Sequence, residues 1–472
     1  MSANKSLNEQ LGEINEYERE PVPTHAVKGF RSFVGMVAGE HIAGTEFVIG
    51  PLFVLHGAAA IDVFWGLLIG NLFATLSWTL FCAPAAVKTR LTIFYQLEKI
   101  SGKIPVTLYN VVNALLFCAV AAAMIGVSAS ALSLVLGIDA PGLTDYYPTS
   151  ISWALIIFLI GSVIAIVATF GFDRVSSFSN LFAPWMPLVF LAAGLASLPS
   201  LGVESFASFW QVAEQTIWTG IPAEGQTKYT FWHIFIFAWL CNSAMHLGLA
   251  DMSIYRYAKK ARYGLASAFG MYIGHFMAWL ASGILCAVAL QSGNVNPTPG
   301  EIAFLGAGWA GIICVVVAGW TTANPTIYRA GLAVQALFPR TARWRLTLGV
   351  GLLATILACS PAFVAKLDQF LGFYALCATP VGAVVLVDIF LFPRLGLQSN
   401  LAEQKKLLIN WSVLIAWLVS ISGSYLLYQY LEADFYFFMA VPGFLASGLI
   451  YLLSAYVQQR YLSPKISKHA LD

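Results

Sequence analysis

Between residues 30 and 457 the chain is a succession of apolar windows, near 30–55, 61–84, 105–135, 151–171, 177–199, 231–251, 262–290, 302–337, 346–365, 368–392, 408–430 and 434–457. About 20 apolar residues in helical form cross a hydrocarbon core of ~30 Å, so each window is read as a membrane span. Several exceed one crossing and must tilt, kink or break. Such segments must satisfy their own backbone hydrogen bonds and are too long and too uniformly apolar for barrel strands, so the class is an all-α integral membrane protein with twelve transmembrane helices. Lys and Arg number 25 and Asp and Glu 23, together 10% of 472 residues, against about a quarter in soluble domains. That scarcity excludes a soluble enzyme, a disordered scaffold and a nucleic-acid binder.

The few cations set the orientation. With the N-terminus inside, the cytoplasmic segments hold Lys28 and Arg31, then Lys88 to Lys103, Arg174, Arg256 to Arg262, Arg340 to Arg345, Arg394 to Lys406, and Arg460 to Lys468. The outer segments hold only Lys228 and Lys366. Cytoplasmic excess of Lys and Arg therefore predicts an even number of spans, both termini cytoplasmic and residence in the plasma (inner) membrane. Residues 1–27 are polar and acidic and lack the pattern of a secretory leader, so the first span is expected to act as the insertion signal. All seven cysteines fall in apolar runs without metal spacing and read as buried small side chains.

Polar residues at membrane depth are costly unless paired or hydrated, so the interruptions of the apolar pattern carry the functional information. Span one reads Gly35-Met-Val-Ala-Gly-Glu40-His41-Ile-Ala-Gly44-Thr45-Glu46-Phe-Val48-Ile-Gly50-Pro51. Its glycines and proline predict a discontinuous helix whose free carbonyls and half-helix ends bind an ion and a solute at mid-membrane. A kinked helix whose Glu40 and His41 pair with another span is the alternative. Span six repeats the theme in Trp239-Leu-Cys-Asn242-Ser-Ala-Met-His246-Leu-Gly248-Leu-Ala-Asp251. Breaks five spans apart are what a five-plus-five inverted repeat produces. Asp251, close in sequence to Arg256 and Lys259-Lys260, is read as one half of a structural ion pair at the cytoplasmic end. His246, like His275 in span seven, suits a hydrogen-bonded packing role better than proton carriage. Glu40, His41 and His246 nonetheless stand as the candidate proton or gating groups.

In span eight, Ala318, Thr321 and Thr322 lie at i, i+3 and i+4 on one helical face. Two hydroxyls and a carbonyl there offer hard oxygens to an alkali cation, unless the hydroxyls simply return to their own i−4 carbonyls. Gly306-Ala-Gly308-Trp-Ala-Gly311 imitates a dinucleotide fingerprint but lies in a span with no strand before it, and is read as helix-packing glycine. Gly66, Gly70, Gly161 and Gly382 are likewise read as close helix contacts. No nucleotide-hydrolysis or common hydrolase motif is present, so no catalytic residue and no cofactor is expected.

Five stretches in order resemble one family: Leu68-Ile-Gly70-Asn71, Val87-Lys-Thr-Arg-Leu-Thr92, Ala250-Asp251-Met-Ser-Ile-Tyr-Arg256-Tyr-Ala-Lys259, Thr321-Thr322-Ala-Asn324-Pro-Thr326-Ile-Tyr-Arg-Ala-Gly-Leu332, and Thr379-Pro-Val-Gly382-Ala-Val-Val-Leu-Val-Asp388. They resemble the nucleobase–cation symporter-1 family of purine–cytosine permeases and hydantoin transporters, and the span-eight string is most similar to bacterial cytosine permeases. The resemblance implies a fold like that of the neurotransmitter–sodium symporters. A cytoplasmic tail at 1–27 would precede a ten-helix inverted-repeat core at 28–392 with broken helices one and six, followed by helices eleven and twelve within 393–457 and a cytoplasmic tail at 458–472. It also implies cation-driven uptake of a small nitrogen-containing solute by alternating access. A sodium ion would be held by span-one carbonyls in the Gly44–Val48 stretch, here assigned to Thr45 and Val48, and by Ala318, Thr321 and Thr322.

Substrate contacts transfer incompletely. The family sandwiches a flat heterocycle between aromatics of spans three and six. Here the span-three position is Leu116 or Val120, with Phe117 the nearby ring, and the span-six position is Asn242, with Trp239 one turn earlier. The amide-rich run of span eight becomes Asn324-Pro325-Thr326. Glu46 stands where a small residue is expected; it suits a cation site, a proton carrier or a partner for a charged or NH-rich substrate. The expected partners are thus a small solute, sodium or a proton, and the lipid bilayer. A proton-coupled importer of a cationic solute through Glu46 is the main alternative. A non-transporting receptor is disfavoured by the short segment after span twelve.

Overall fold

The computed structural model describes residues 16–182 and 184–462, and no β-strand occurs among them. Nine helices there are long and apolar enough to cross a membrane. The three remaining windows have explicable shapes. Window 30–55 divides into Phe30–His41 and Glu46–Leu55, window 231–251 into Phe231–Leu240 and the single turn Ser243–His246, and window 346–365 into the 16-residue helix Arg343–Ala358 and the turn Ala362–Ala365. The architecture is the helical inverted repeat anticipated from the two interrupted spans, with spans three (Lys103–Leu136) and eight (Pro299–Leu337) forming the most extensive helix pair.

Overlong spans relieve their length in distinct ways. Thirty-nine residues at ~1.5 Å each would reach nearly 60 Å, too long for one straight crossing, and span eight bends at Gly308 (φ 56°, ψ −133°), a conformation L side chains avoid. The glycine-rich triplet is therefore partly a hinge in the helix and only partly packing. Gly306 lies against the Leu285 side chain, whereas Gly308 has nothing within 4 Å of where its Cβ would stand. Span seven instead begins with a π-helical stretch at Phe269–Phe276.

Breaking span six exposes carbonyls that need room. After Ser243–His246 the chain reverses through Leu249 (φ 63°), and the amides of Gly248 and Ala250 return to the carbonyls of Ser243 and Ala244 at 2.7 and 3.1 Å. Span ten makes space with Gly382, where an added Cβ would fall 1.7 Å from the Leu247 carbonyl oxygen. A Cβ added at Gly66, Gly70 or Gly161 would likewise fall 2.8, 2.5 or 2.3 Å from Ile234, Phe235 or Thr355.

The N-terminal segment departs from a free tail. Residues 1–15 lie outside the described residues, but from Glu16 the chain is strapped across one end of the spans. Buried Glu16 accepts hydrogen bonds from the Phe172 amide (2.8 Å) and the Tyr257 and Tyr328 hydroxyls (2.7 and 2.9 Å). Burial pushes the Tyr257 hydroxyl well above its ordinary range, which keeps it a donor. Arg256 donates to the Tyr17 carbonyl at 2.8 Å, Val22 bonds Arg90, and the Lys28 ammonium meets Asp173 at 2.8 Å. Likewise the segment assigned to a C-terminal tail opens with a further turn, Gln458–Leu462.

Overpacking a filled contact is destabilising. Gly382→Ala should lower the melting temperature of the purified protein in detergent, whereas Gly423→Ala, at a glycine with open space around it, should leave it unchanged. Equal melting temperatures for the two variants would contradict the close approach of span ten to the broken span.

Candidate substrate and cation site

The two breaks face each other across a narrow cavity. Span one contributes Glu40, His41, Ala43, Thr45, Glu46 and Ile49, span three Phe117, Val120 and Met124, and span six Cys241, Asn242, Ala244 and Met245. His275, Thr322, Leu367, Leu371 and Tyr374 complete it from spans seven, eight and ten. Span one breaks because Ile42 leaves helical geometry (φ −104°, ψ 64°) and Glu46 restarts it; the Glu46 carboxyl group accepts from the Ala43 amide at 3.4 Å and stands at the positive end of the second half-helix, Glu46–Leu55. Ser282 of span seven fixes that restart by donating to the Glu46 carbonyl at 2.6 Å.

Three buried polar atoms in this wall lack a hydrogen-bond partner: Glu46 Oε2, His41 Nε2 and His275 Nδ1. Glu46 Oε1 lies 3.7 Å from His275 Nε2, and the two imidazoles are 5.0 Å apart. His275, read from sequence as a packing residue, therefore belongs to the site, stacked on Trp279 at 4.2 Å. Besides the Glu40 carboxylate, the wall thus presents the Glu46 carboxyl group and two imidazoles in a largely apolar surround, suited to a compact solute with N–H donors.

Beside the cavity lies an oxygen cluster. The Thr322 hydroxyl donates to the carbonyls of Glu40 and Ala318, both at 2.9 Å, and Thr321 donates to Ala318 at 3.0 Å. Two hydroxyls and two carbonyls from spans one and eight form a neutral hard-oxygen set that fits a dehydrated alkali cation. The span-one carbonyl in contact with Thr322 is that of Glu40, not Thr45 or Val48. The Thr45 carbonyl is already occupied within the restarting helix by the amides of Val48 and Ile49, both at 2.9 Å.

Two turns further along the same face of span eight stands Arg329, to which the sequence pattern assigns no role. Its guanidinium grips Glu40 through two bonds (2.5 and 3.0 Å) and Asp251 through two more (2.9 and 2.5 Å), while Trp78 donates to the other Asp251 oxygen at 2.7 Å. Arg329 is fully buried and both carboxylates nearly so. Asp251 is thus half of a structural ion pair, as read from the sequence, but its partner is Arg329 and not one of the nearby cations. The turn at Leu249 aims Asp251 inward, and Arg256 is engaged by the N-terminal segment. Glu40 is accordingly a paired residue.

The remaining candidates divide. Phe117 and Asn242 line the cavity. Trp239 turns away to span two, donating to Ser77 at 3.0 Å and packing on Phe73, so it supplies no second face of an aromatic sandwich. His246 closes the broken helix by bonding the Trp239 carbonyl at 2.9 Å. Thr326 lies one turn behind Thr322, donating to its carbonyl, and Asn324 is buried with both amide atoms unpartnered, outside the cavity wall.

Fold and site together define a class: an inverted-repeat membrane transporter fold with broken first and sixth helices meeting at a central cavity. Among solved structures, Mhp1, a nucleobase–cation-symport-1 family transporter in a closed conformation with bromovinylhydantoin bound, is similar over 95% of this chain and 97% of that one, at 15% identity and a TM-score of 0.71. A substrate-bound, outward-open Na⁺-coupled sialic acid symporter matches 95% of this chain and 93% of its own at 14% identity and 0.66. The inward-facing conformation of Mhp1 matches 93% and 95% at 14% identity and 0.66. No protein-family model and no curated protein sequence matches the chain.

Removing one member of a buried ion cluster strands the others at a cost of about 3–5 kcal/mol. Arg329→Met should therefore sharply lower thermal stability and yield of monodisperse protein in size-exclusion chromatography. Arg329→Lys, a point charge without the planar fork, should restore only part of the loss, and full stability in Arg329→Met would contradict the pairing.

Proposed function

We propose that the protein is a secondary active transporter that imports a small nitrogen-containing solute, nucleobase-like or related, by cation-coupled and specifically sodium-coupled alternating access across the plasma membrane, with both termini cytoplasmic. The observation that carries this reading is the Thr322 hydroxyl bridging a carbonyl of the broken span one and one of span eight at 2.9 Å each, at the edge of the cavity where both broken spans end. The fold similarity to a Na⁺-coupled symporter and to a nucleobase–cation symporter supports it.

In the cycle, a sodium ion would replace the hydroxyl bridges and draw Glu40, Ala318, Thr321 and Thr322 around itself. That fixes the inner half of span one against span eight and favours the conformation that admits solute. The solute would dock against Glu46, with Phe117 and Asn242 beside it. Closure over the solute, then opening inward, releases both down the sodium gradient.

A second reading has its own observation. Glu46 Oε1 stands 3.7 Å from His275 Nε2 in a buried, apolar setting, a pair able to exchange one proton, which suits a proton-driven importer of a cationic solute.

Uptake into proteoliposomes under a sodium titration separates the readings. Thr322→Ala should raise the sodium concentration for half-maximal uptake at least tenfold; an unchanged titration sinks the sodium site. Glu46→Gln should abolish or retune solute binding measured by thermal shift at saturating sodium, and a wild-type ligand profile would reduce Glu46 to a structural group. Uptake that follows an imposed pH gradient with sodium replaced by choline would favour the second reading.

A further inference from the structure

The buried ion cluster does not balance. Glu40 and Asp251 bring two carboxylates to one guanidinium, each at most 4% exposed, and the hydrogen bond from Trp78 adds no charge. The other titratable groups facing it are His41, Tyr255, Tyr374 and Cys82, of which only His41 can carry a positive charge. A net negative charge held in the membrane interior is strongly unfavourable unless a cation lies within reach.

Glu40 shows where that cation would be. Its side chain is in the grip of Arg329, while its backbone carbonyl, the other end of the same residue, belongs to the oxygen cluster with Thr322. Thr322 and Arg329 are seven residues apart on span eight, two turns and about 10 Å along one face. The oxygens around Thr322 are themselves neutral; nothing in that set attracts a charge over distance.

Resting on the sodium-coupled reading above, we propose that Asp251 is the counter-charge of the coupling ion. The Glu40–Arg329–Asp251 cluster supplies from outside the coordination sphere the unit negative charge that the ion neutralises, and Asp251 is thereby a positioning residue for cation coupling. The same cluster joins both broken helices to span eight, so loading the ion and holding the inner half-helices against the scaffold become one event. A unit charge about 10 Å away through a medium of effective dielectric ~20 changes an ion's affinity by about tenfold or more.

The test is direct binding of radioactive sodium to the purified full-length protein by scintillation proximity, backed by sodium-dependent thermal shift with choline as the control cation. Asp251→Asn alone would set an amide N–H₂ against the Trp78 indole, so the informative variant is the double substitution Asp251→Asn with Trp78→Phe, compared with Trp78→Phe, which keeps the charge. The double variant should show a sodium Kd raised about tenfold or more relative to Trp78→Phe, with solute affinity recovered at saturating sodium, and Asp251→Glu should restore sodium affinity. A sodium Kd shared by the double variant and Trp78→Phe overturns the inference, and this is also the outcome if the balancing charge resides on His41. Loss of solute affinity that saturating sodium does not recover overturns it as well, since Asp251 would then be only architectural. A wild-type protein that binds no sodium overturns the sodium reading and this inference together, which distinguishes the two failures.

Discussion

The site depends on one guanidinium. Arg329 joins the carboxylates of both broken helices, and its planar fork lets it hold the two at once through four bonds. Without it the inner ends of spans one and six would each carry a buried, unpaired acid. With it, the two places where the backbone is weakest are tied to span eight, itself packed along span three.

The architecture places unsatisfied backbone only where something can use it. The Ile42 to Thr45 break opens onto the cavity, and the Asn242 to Leu249 region is accommodated by a glycine on span ten and by His246 on its own carbonyl. Irregular backbone at membrane depth is tolerated where it lines a cavity or is buried in protein. Here one break does the first and the other does both.

Much of the fold was legible because membrane solvation leaves a strong one-dimensional trace. Apolar windows, the two polar interruptions and the hydroxyl pair at Thr321 and Thr322 were all readable along the chain. Pairings were not, because ions find partners in three dimensions. Asp251 was legible as half of an ion pair beside the cations at Arg256 and Lys259-Lys260, whereas the turn at Leu249 sends it to one 78 residues on. Arg329 escaped notice because it interrupts no helix, although a buried arginine in an apolar span is itself a signal that acids must be near. Trp239 was placed on the correct turn but the wrong face, since all sides of these helices are greasy and periodicity does not orient them. His275 was discounted for standing alone in its span, and its company comes from spans one and seven together.

The strap formed from Glu16 onward ties together elements that are far apart in the chain. Its carboxylate gathers Phe172, Tyr257 and Tyr328, which come from the segment after span four, the segment after span six, and span eight. Any rearrangement that separates those elements must first peel this peptide from its anchors, so a short stretch of chain remote from the cavity sets the cost of parting them.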